Sequence, residues 1–366
     1  MKKSPTTLCN TLCALFLCSL TLLAWRVPPA NAYIYAMCPS DTIAVFENTA
    51  RGYAEPLRII KGLNTGLAGT SGITVYENEL FVTSQGDPGI SVFNTTDSGN
   101  VVAKRLIRGD KTTLGGTSKI QIYQNEMYVT NNFTYPSTFN ITDNGNVAPK
   151  RSLSTFWYSK AMAISGDEIF LARTYNADTV SVYDRTDFTK TTPKRTLTGS
   201  NTGFKNVSTL CAYNNELFVA DQRSSSIRVF NLTDSGDVAP KRIIQGAKTG
   251  LSGSSYIFIT AGEIYASCGG AVKIFNTTDS GNVAPKGILY GAKYLGGVGG
   301  IFMDSSAING DVDGDGSVTM NDWKMARALI GKKTGNAGYV AVADINSDGV
   351  IWWNDLTLIL RAMQNK

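Results

Sequence analysis

Ile90-Ser91-Val92-Phe93-Asn94 returns as Ile227-Arg228-Val229-Phe230-Asn231 and again as Val272-Lys273-Ile274-Phe275-Asn276, and this recurrence decides how the chain is read. Variants centre on Phe46, Phe139 and Tyr183, so six anchors follow one another at intervals of 47, 46, 44, 47 and 45 residues. A unit of that length, built from short alternating segments, is one four-stranded propeller blade. The second anchor shows the order within a unit. Phe93 is followed by the turn Thr96-Asp97-Ser98-Gly99-Asn100, a strand from Lys104 to Arg108 and a Gly/Thr-rich loop. A strand from Ile120 to Tyr123 and a hairpin to Met127-Tyr128-Val129-Thr130 complete it. Alternation and β-branched content specify the strands, and Gly, Asn and Asp supply the positive φ of tight turns. No helix is required before residue 320, and the prediction is an all-β six-bladed propeller over residues 33–304.

The two ends of the array are complementary. Tyr33-Ile34-Tyr35-Ala36-Met37-Cys38 matches Glu263-Ile264-Tyr265-Ala266-Ser267-Cys268 in register, so the array begins in mid-blade. Gly299-Gly300-Ile301-Phe302-Met303 occupies the innermost-strand position of a unit that then stops. One blade is therefore expected to combine that strand with Ile34 to Met37, Ile43 to Glu47 and Leu57 to Lys61, which closes the ring without a free sheet edge. An open solenoid would leave the two half-units unexplained.

Composition narrows the function. The chain has 366 residues, 43% hydrophobic and 17% charged, which is ordinary for a folded protein, and it contains no histidine. Histidine-dependent acid–base or metal chemistry is thereby excluded. Met1-Lys2-Lys3, an apolar stretch from Leu12 to Trp25 and Ala30-Asn31-Ala32 have the order of a secretory signal over residues 1–32, too short and too interrupted for a membrane span. The mature chain keeps Cys38, Cys211 and Cys268, an odd number that gives no disulfide framework. The net charge of +5 suggests nucleic acid at first sight. The basic residues, however, recur as Lys104-Arg105, Lys150-Arg151, Lys194-Arg195 and Lys241-Arg242 at the start of each outermost strand, with Pro149, Pro193, Pro240 and Pro285 one residue before such positions. That pattern reads as protection of exposed strand edges rather than nucleic-acid recognition.

After a linker at 305–309, residues 310–366 change character. Asp311-Val312-Asp313-Gly314-Asp315-Gly316-Ser317-Val318-Thr319-Met320-Asn321-Asp322 places oxygen donors at loop positions 1, 3, 5, 9 and 12, glycine at 6 and the Ser317 carbonyl at 7. A second copy starts 33 residues later, with Asp344, Asn346, Asp348, Val350 through its carbonyl, and Asp355. All-oxygen loops of this kind suit Ca²⁺, one ion per loop and two in all, better than the smaller Mg²⁺. No entering helix precedes either loop. An exit helix follows each, Trp323 to Ile330 stopped by Gly331, and Leu356 to Met363, in which Leu356, Ile359, Leu360 and Met363 share one face.

This duplicated loop-helix pattern is similar to type I dockerins over the whole segment. The resemblance implies binding to a cohesin domain of a scaffold or cell-surface protein outside the cell. It further implies that Met320, Asn321, Trp353 and Asn354, just before the last ligands, and the basic Arg327, Lys332 and Arg361 contact that partner. Neither copy carries the Ser-Thr pair of many dockerins.

The propeller's own repeats resemble those of secreted bacterial propellers of the NHL and lactonase-like type, on the strength of the "GNVAPKR" turn and strand. Turns such as Thr277-Thr278-Asp279-Ser280-Gly281 also resemble the Asp-box of sialidase-like propellers, without its closing aromatic. The repeats disagree most between their second and third strands: Gln85 to Pro88, Asn131 to Tyr135, Thr174 to Asp178, and Gln222 to Ser225. These loops share one mouth of the ring, and loops on a rigid scaffold are where binding residues gather. Phe133, Tyr135 and Tyr175 are candidates to stack on sugar rings. The reading is an extracellular binding module for polysaccharide. The alternative is a carbohydrate-active hydrolase or lyase, or a lactonase, and convergence of carboxylates at a channel mouth separates the two.

Overall fold

The computed structural model describes residues 33–76, 78–173, 178–253, 256–260, 262–290, 300–303, 320–333, 343 and 350–364. The expected signal at 1–32, the linker and Tyr175 lie outside them. Six sheets form. Blade 1 is assembled from both ends of the array: Gly300–Met303 is innermost, followed outward by Tyr33–Cys38, Thr42–Glu47 and Arg58–Ile60. Ile34 to Met37 pair antiparallel with Met303 to Gly300, as the complementary half-units require. Blades 2 to 6 begin with the inner strands Thr70–Tyr76, Thr117–Tyr123, Ser159–Ser165, Val207–Tyr213 and Tyr256–Thr260.

The apolar core lies between blades rather than within them. Six of the buried clusters each join two neighbouring blades, and the anchor aromatic of a blade packs backward onto the one before it. Phe46 of blade 1 lies among Tyr265, Val272, Ile274 and Leu289 of blade 6. Phe93 likewise meets Tyr35, Met37, Ile43 and Val45 of blade 1. The period of the anchors is thus the period of inter-blade packing, which is why it survives where other positions drift. Cys38, Cys211 and Cys268 are free thiols.

The Asp-Ser-Gly-Asn turns clasp the preceding blade. Asp97 accepts the backbone N–H of Asn94 and so shapes its own turn. Gly99, at φ 79°, then lies as a short parallel strand against Ile60 on the outer edge of blade 1. Asn100 next accepts the N–H of Asn64. A side chain at Gly62, φ 134°, would collide with Asn100, so that glycine is fixed by close approach as well as by its backbone angle. The same clasp recurs as Ile107 with Gly145, Leu197 with Gly236, Ile244 with Gly281 and, at the seam, Leu289 with Gly52. Asn64 sits in one of four single 3₁₀ turns within the Gly/Thr-rich loops, the helical structure among the described residues before residue 320 that strand periodicity did not reveal.

The Lys-Arg pairs do more than blunt an edge, and the sequence reading of them is corrected here. Arg105 holds both carboxylate oxygens of Glu79 at 2.7 Å, and Lys104 adds a third contact to Glu79 at 2.7 Å. Arg105 also donates to the Ile141 carbonyl of the next blade. Arg195 with Glu168 and Arg242 with Glu216 repeat the arrangement, reaching Leu232 and Thr277. The outer edge itself is covered by the next blade's glycine turn. The Arg105 and Arg242 hydrogen bonds, aided by the lysines and opposed by burial, bring Glu79 and Glu216 down to about 2.

A carboxylate with a depressed folded-state pKa stabilises fully above its unfolded value, about 4.3, and that stabilisation is lost as pH falls toward the folded value. The propeller's melting temperature should therefore fall between about pH 5 and pH 2. Glu79→Gln should cost about 1–3 kcal/mol at neutral pH and flatten part of that acid loss. Thermal melts of both proteins at several pH values test this, and an unchanged midpoint in Glu79→Gln at pH 7 would remove the clamp from the account.

Candidate functional site

Strands alternate in direction outward from the channel, so second-to-third hairpins share a face with the connections from each outermost strand to the next blade. On that face the junction between blades 3 and 4 departs from the repeat. The outermost strand of blade 3 is only Arg151–Ser152, and no glycine clasp covers it among the described residues. Leu153, Phe156, Tyr183 and Phe188 fill the gap instead. Arg185, buried, replaces the clasp chemically: it donates to the Tyr128 hydroxyl, the Gln124 side chain and the Gly166 carbonyl.

This irregular junction carries exposed aromatic surface. Phe133 is 61% exposed, Trp157 45% and Tyr158 40%. Tyr135 stands edge-on to Trp157 with ring centroids 5.0 Å apart, and Tyr158 lies 6.2 Å from Trp157. Phe133 is held over Gly116, where a side chain would have to displace its ring. Of the candidates, Tyr135 is thus brought against Trp157 while Phe133 packs on the Gly115–Gly116 loop, and Trp157 and Tyr158 were missed. Their signal was available: Ser154-Thr155-Phe156-Trp157-Tyr158 stands where four other units keep Gly-x-x-Thr.

The central channel is lined by the inner strands of all six blades and encloses about 180 Å³. Its lining contains Lys119, Thr74, Gln121, Thr209, Cys211 and Tyr256 among apolar residues and no carboxylate among the described residues. Buried acids elsewhere are already committed. Asp221, for instance, accepts the N–H groups of Lys205, Asn206 and Ser224.

The C-terminal segment forms α1 (Met320–Ala328) and α2 (Trp353–Gln364), packed through Ala326, Ile351, Leu356 and Ile359 with Ala343. Both helices start three residues earlier than apolar spacing indicated, so the last loop positions form their first turns. Gly331, φ 83°, ends the run after α1 as expected. Asp322 and Asp355 are completely buried in those first turns, and Asp355 accepts the N–H of Trp352. Val350 bridges to Lys333. Asp311, Asp313, Asp315, Ser317, Thr319, Asp344, Asn346 and Asp348 lie outside the described residues. Two carboxylates sunk at equivalent helix starts, each closing an all-oxygen loop sequence, fit a hard divalent cation.

Residues 309–364 match the family described as Dockerin type I domain. This segment is a type I dockerin. A dockerin implies cohesin-bearing partners and assembly into extracellular complexes, and type I dockerins typically bind calcium. On this dockerin Met320 is 45% exposed, Trp353 52%, and the unanticipated Met325 and Trp352 44% and 51%. Arg327 lies over the Trp323 ring at 5.3 Å, Asn354 is exposed and Lys332 half-buried. Asn321 and Arg361 lie within the helices, their side chains outside the described set.

The propeller is similar to a chain of a nidogen–laminin complex, with TM-score 0.50, 11% identity, and coverage of 75% of this chain and 99% of that one. A functionally unknown protein from Desulfotomaculum acetoxidans DSM 771 gives TM-score 0.50, 14% identity, and coverage of 75% and 99%. Likeness at this identity shows the fold alone. A search of curated proteins finds no match. No described helix is long and apolar enough to cross a membrane.

Proposed function

We propose that the mature chain, residues 33–366, is an extracellular ligand-binding propeller that its dockerin, at 310–366, plugs into a cohesin-bearing scaffold or surface protein. We assign polysaccharide as the ligand of the propeller's aromatic face. The carrying observation is that the one junction lacking the glycine clasp among the described residues displays Trp157 and Tyr158, with Tyr135 against Trp157 and Phe133 exposed in the same loop as Tyr135. A repeat protein that gives up its inter-blade clasp at one place and carries exposed rings beside the buried filling there departs from its own pattern, as functional sites do. Flat rings present apolar faces to the C–H faces of sugars at little conformational cost. Among the described residues the channel lining holds no carboxylate, which supports binding over hydrolysis, since glycoside cleavage ordinarily uses a carboxylate pair. Two calcium ions complete the dockerin, held by the residues of its two loops and closed by Asp322 and Asp355. Met320, Trp353, Asn354 and Arg327 supply the described part of the cohesin-facing surface.

Affinity electrophoresis of the mature chain in gels containing plant or microbial polysaccharides tests the ligand assignment. Retardation in at least one gel is expected, and Trp157→Ala with Tyr158→Ala should weaken it by about 2 kcal/mol, roughly thirtyfold. Equal retardation of the double variant, with its melting temperature preserved, would move the ligand site elsewhere.

A further inference from the structure

The channel holds a buried amine with no ion-pair partner among the described residues. Lys119 is 8% exposed, lies on the channel wall and makes no ion pair among the described residues. Strand registers place Gly72, Lys119, Ala161, Thr209, Tyr256 and Gly300 at one level of the ring. In a ring of six, Lys119 of blade 3 and Tyr256 of blade 6 are diametrically opposite. Three small residues at that level, Gly72, Ala161 and Gly300, leave room for the lysine to span the channel, and its Nζ lies 3.2 Å from the centre of the Tyr256 ring.

One level further along stand Thr74, Gln121, Ala163, Cys211, Phe258 and Phe302. Phe258 and Phe302, on adjacent blades 6 and 1, pack at 4.7 Å between centroids and give the cavity an aromatic wall, flanked by the polar Thr74 and Cys211 and faced across the ring by Gln121 and Ala163. The acidic groups facing Lys119 are neutral at physiological pH. Burial pushes the Cys211 thiol up to about 12, and that thiol donates to the Ile257 carbonyl. Burial also raises the Tyr256 phenol. The other nearby charge, Lys160, is of like sign, and burial lowers the Lys119 amine well below its ordinary value.

We propose that the channel is a binding site for a short-chain monocarboxylate, whose head group pairs with Lys119 and whose hydrocarbon tail lies against Phe258 and Phe302. A buried amine without a counter-charge either releases its proton or acquires an anion. The cavity is several times larger than a halide needs, and one of its walls is apolar. A carboxylate brings the missing negative charge, acceptors for the ammonium, Thr74 and Gln121, and an apolar remainder for the rings. This site is separate from the aromatic face and does not depend on it.

Isothermal calorimetry of the mature protein with sodium butyrate tests the site, with butyramide as a neutral ligand of the same shape. Saturable one-to-one binding of butyrate is expected, with butyramide weaker by about tenfold or more, the factor for about 1.4 kcal/mol. Lys119→Met should weaken butyrate by a similar factor. Thr74→Phe, which fills the cavity with a side chain already used at its level in blades 1 and 6, should abolish binding and serves if Lys119→Met fails to fold. Equal binding of butyrate and butyramide, unchanged affinity in a folded variant, or no saturable heat up to about 50 mM ligand, weaker than the millimolar range of small fragments, overturns the proposal.

Discussion

Chelating calcium from the mature chain should unfold the dockerin while leaving the propeller intact. A segment of this size has a small core, here Ala326, Ala343, Ile351, Leu356 and Ile359, and domains so small commonly depend on metal for stability. Without the cation, Asp311, Asp313, Asp315 and Asp322 are crowded in one loop sequence, and their repulsion opposes the folded geometry. Asp322 and Asp355 are buried in the folded form, so an ionised carboxylate at either position has lost its water. The readout is direct, because Trp323, Trp352 and Trp353 belong to the dockerin and Trp157 alone to the propeller within the mature chain. Chelator should change tryptophan emission and remove helical circular dichroism while the strand signal remains. Asp311→Ala combined with Asp344→Ala should do the same in calcium. Retention of the helical signal in excess chelator would show that the segment folds without metal.

Deleting residues 33–47 should abolish cooperative folding of the entire propeller. The deletion removes two of the four strands of blade 1 and empties two inter-blade clusters at once. Ile34, Tyr35, Met37, Ile43, Val45 and Phe46 are each no more than 1% exposed. At about 1.5–3 kcal/mol per buried side chain, these six alone amount to roughly 9–18 kcal/mol. That rivals the whole stability of a typical domain, about 5–15 kcal/mol. The newly bare edges of Gly300–Met303 and Arg58–Ile60 would also invite aggregation. A truncated protein that still melts in one transition near the intact temperature would refute closure by shared strands.

The blade period was legible because the anchors Phe46 to Phe275 pack between blades, and ring closure because the half-units at Tyr33 to Cys38 and Gly299 to Met303 complete each other. The dockerin segment was legible because a hard cation dictates donors at fixed spacing, and the family match over 309–364 agrees with that pattern. What escaped was set by contacts remote in sequence. The partner of Arg105 is Glu79, 26 residues earlier, so the basic pair read as an edge device rather than a clamp. Trp157 and Tyr158 were overlooked because they follow the outermost strand, while variability was sought after the second. Lys119 drew no reading, because it precedes the strand expected from Ile120 to Tyr123. Only closure of the ring sets it opposite Tyr256, with no ion pair among the described residues. Helix starts were misplaced because Met320 to Asp322 and Trp353 to Asp355, read as loop ends, form the first turns of the helices, which apolar periodicity does not detect.

The central claim is that this chain is a propeller delivered by a calcium-dependent dockerin. Its most direct test is titration of the mature protein with a panel of cohesin domains by calorimetry, in calcium and again in excess chelator. The account predicts one-to-one binding to at least one cohesin in calcium, complete loss of that binding in chelator, and full recovery when calcium is restored. Undiminished cohesin binding in chelator, or binding that survives Asp311→Ala with Asp344→Ala, would contradict it.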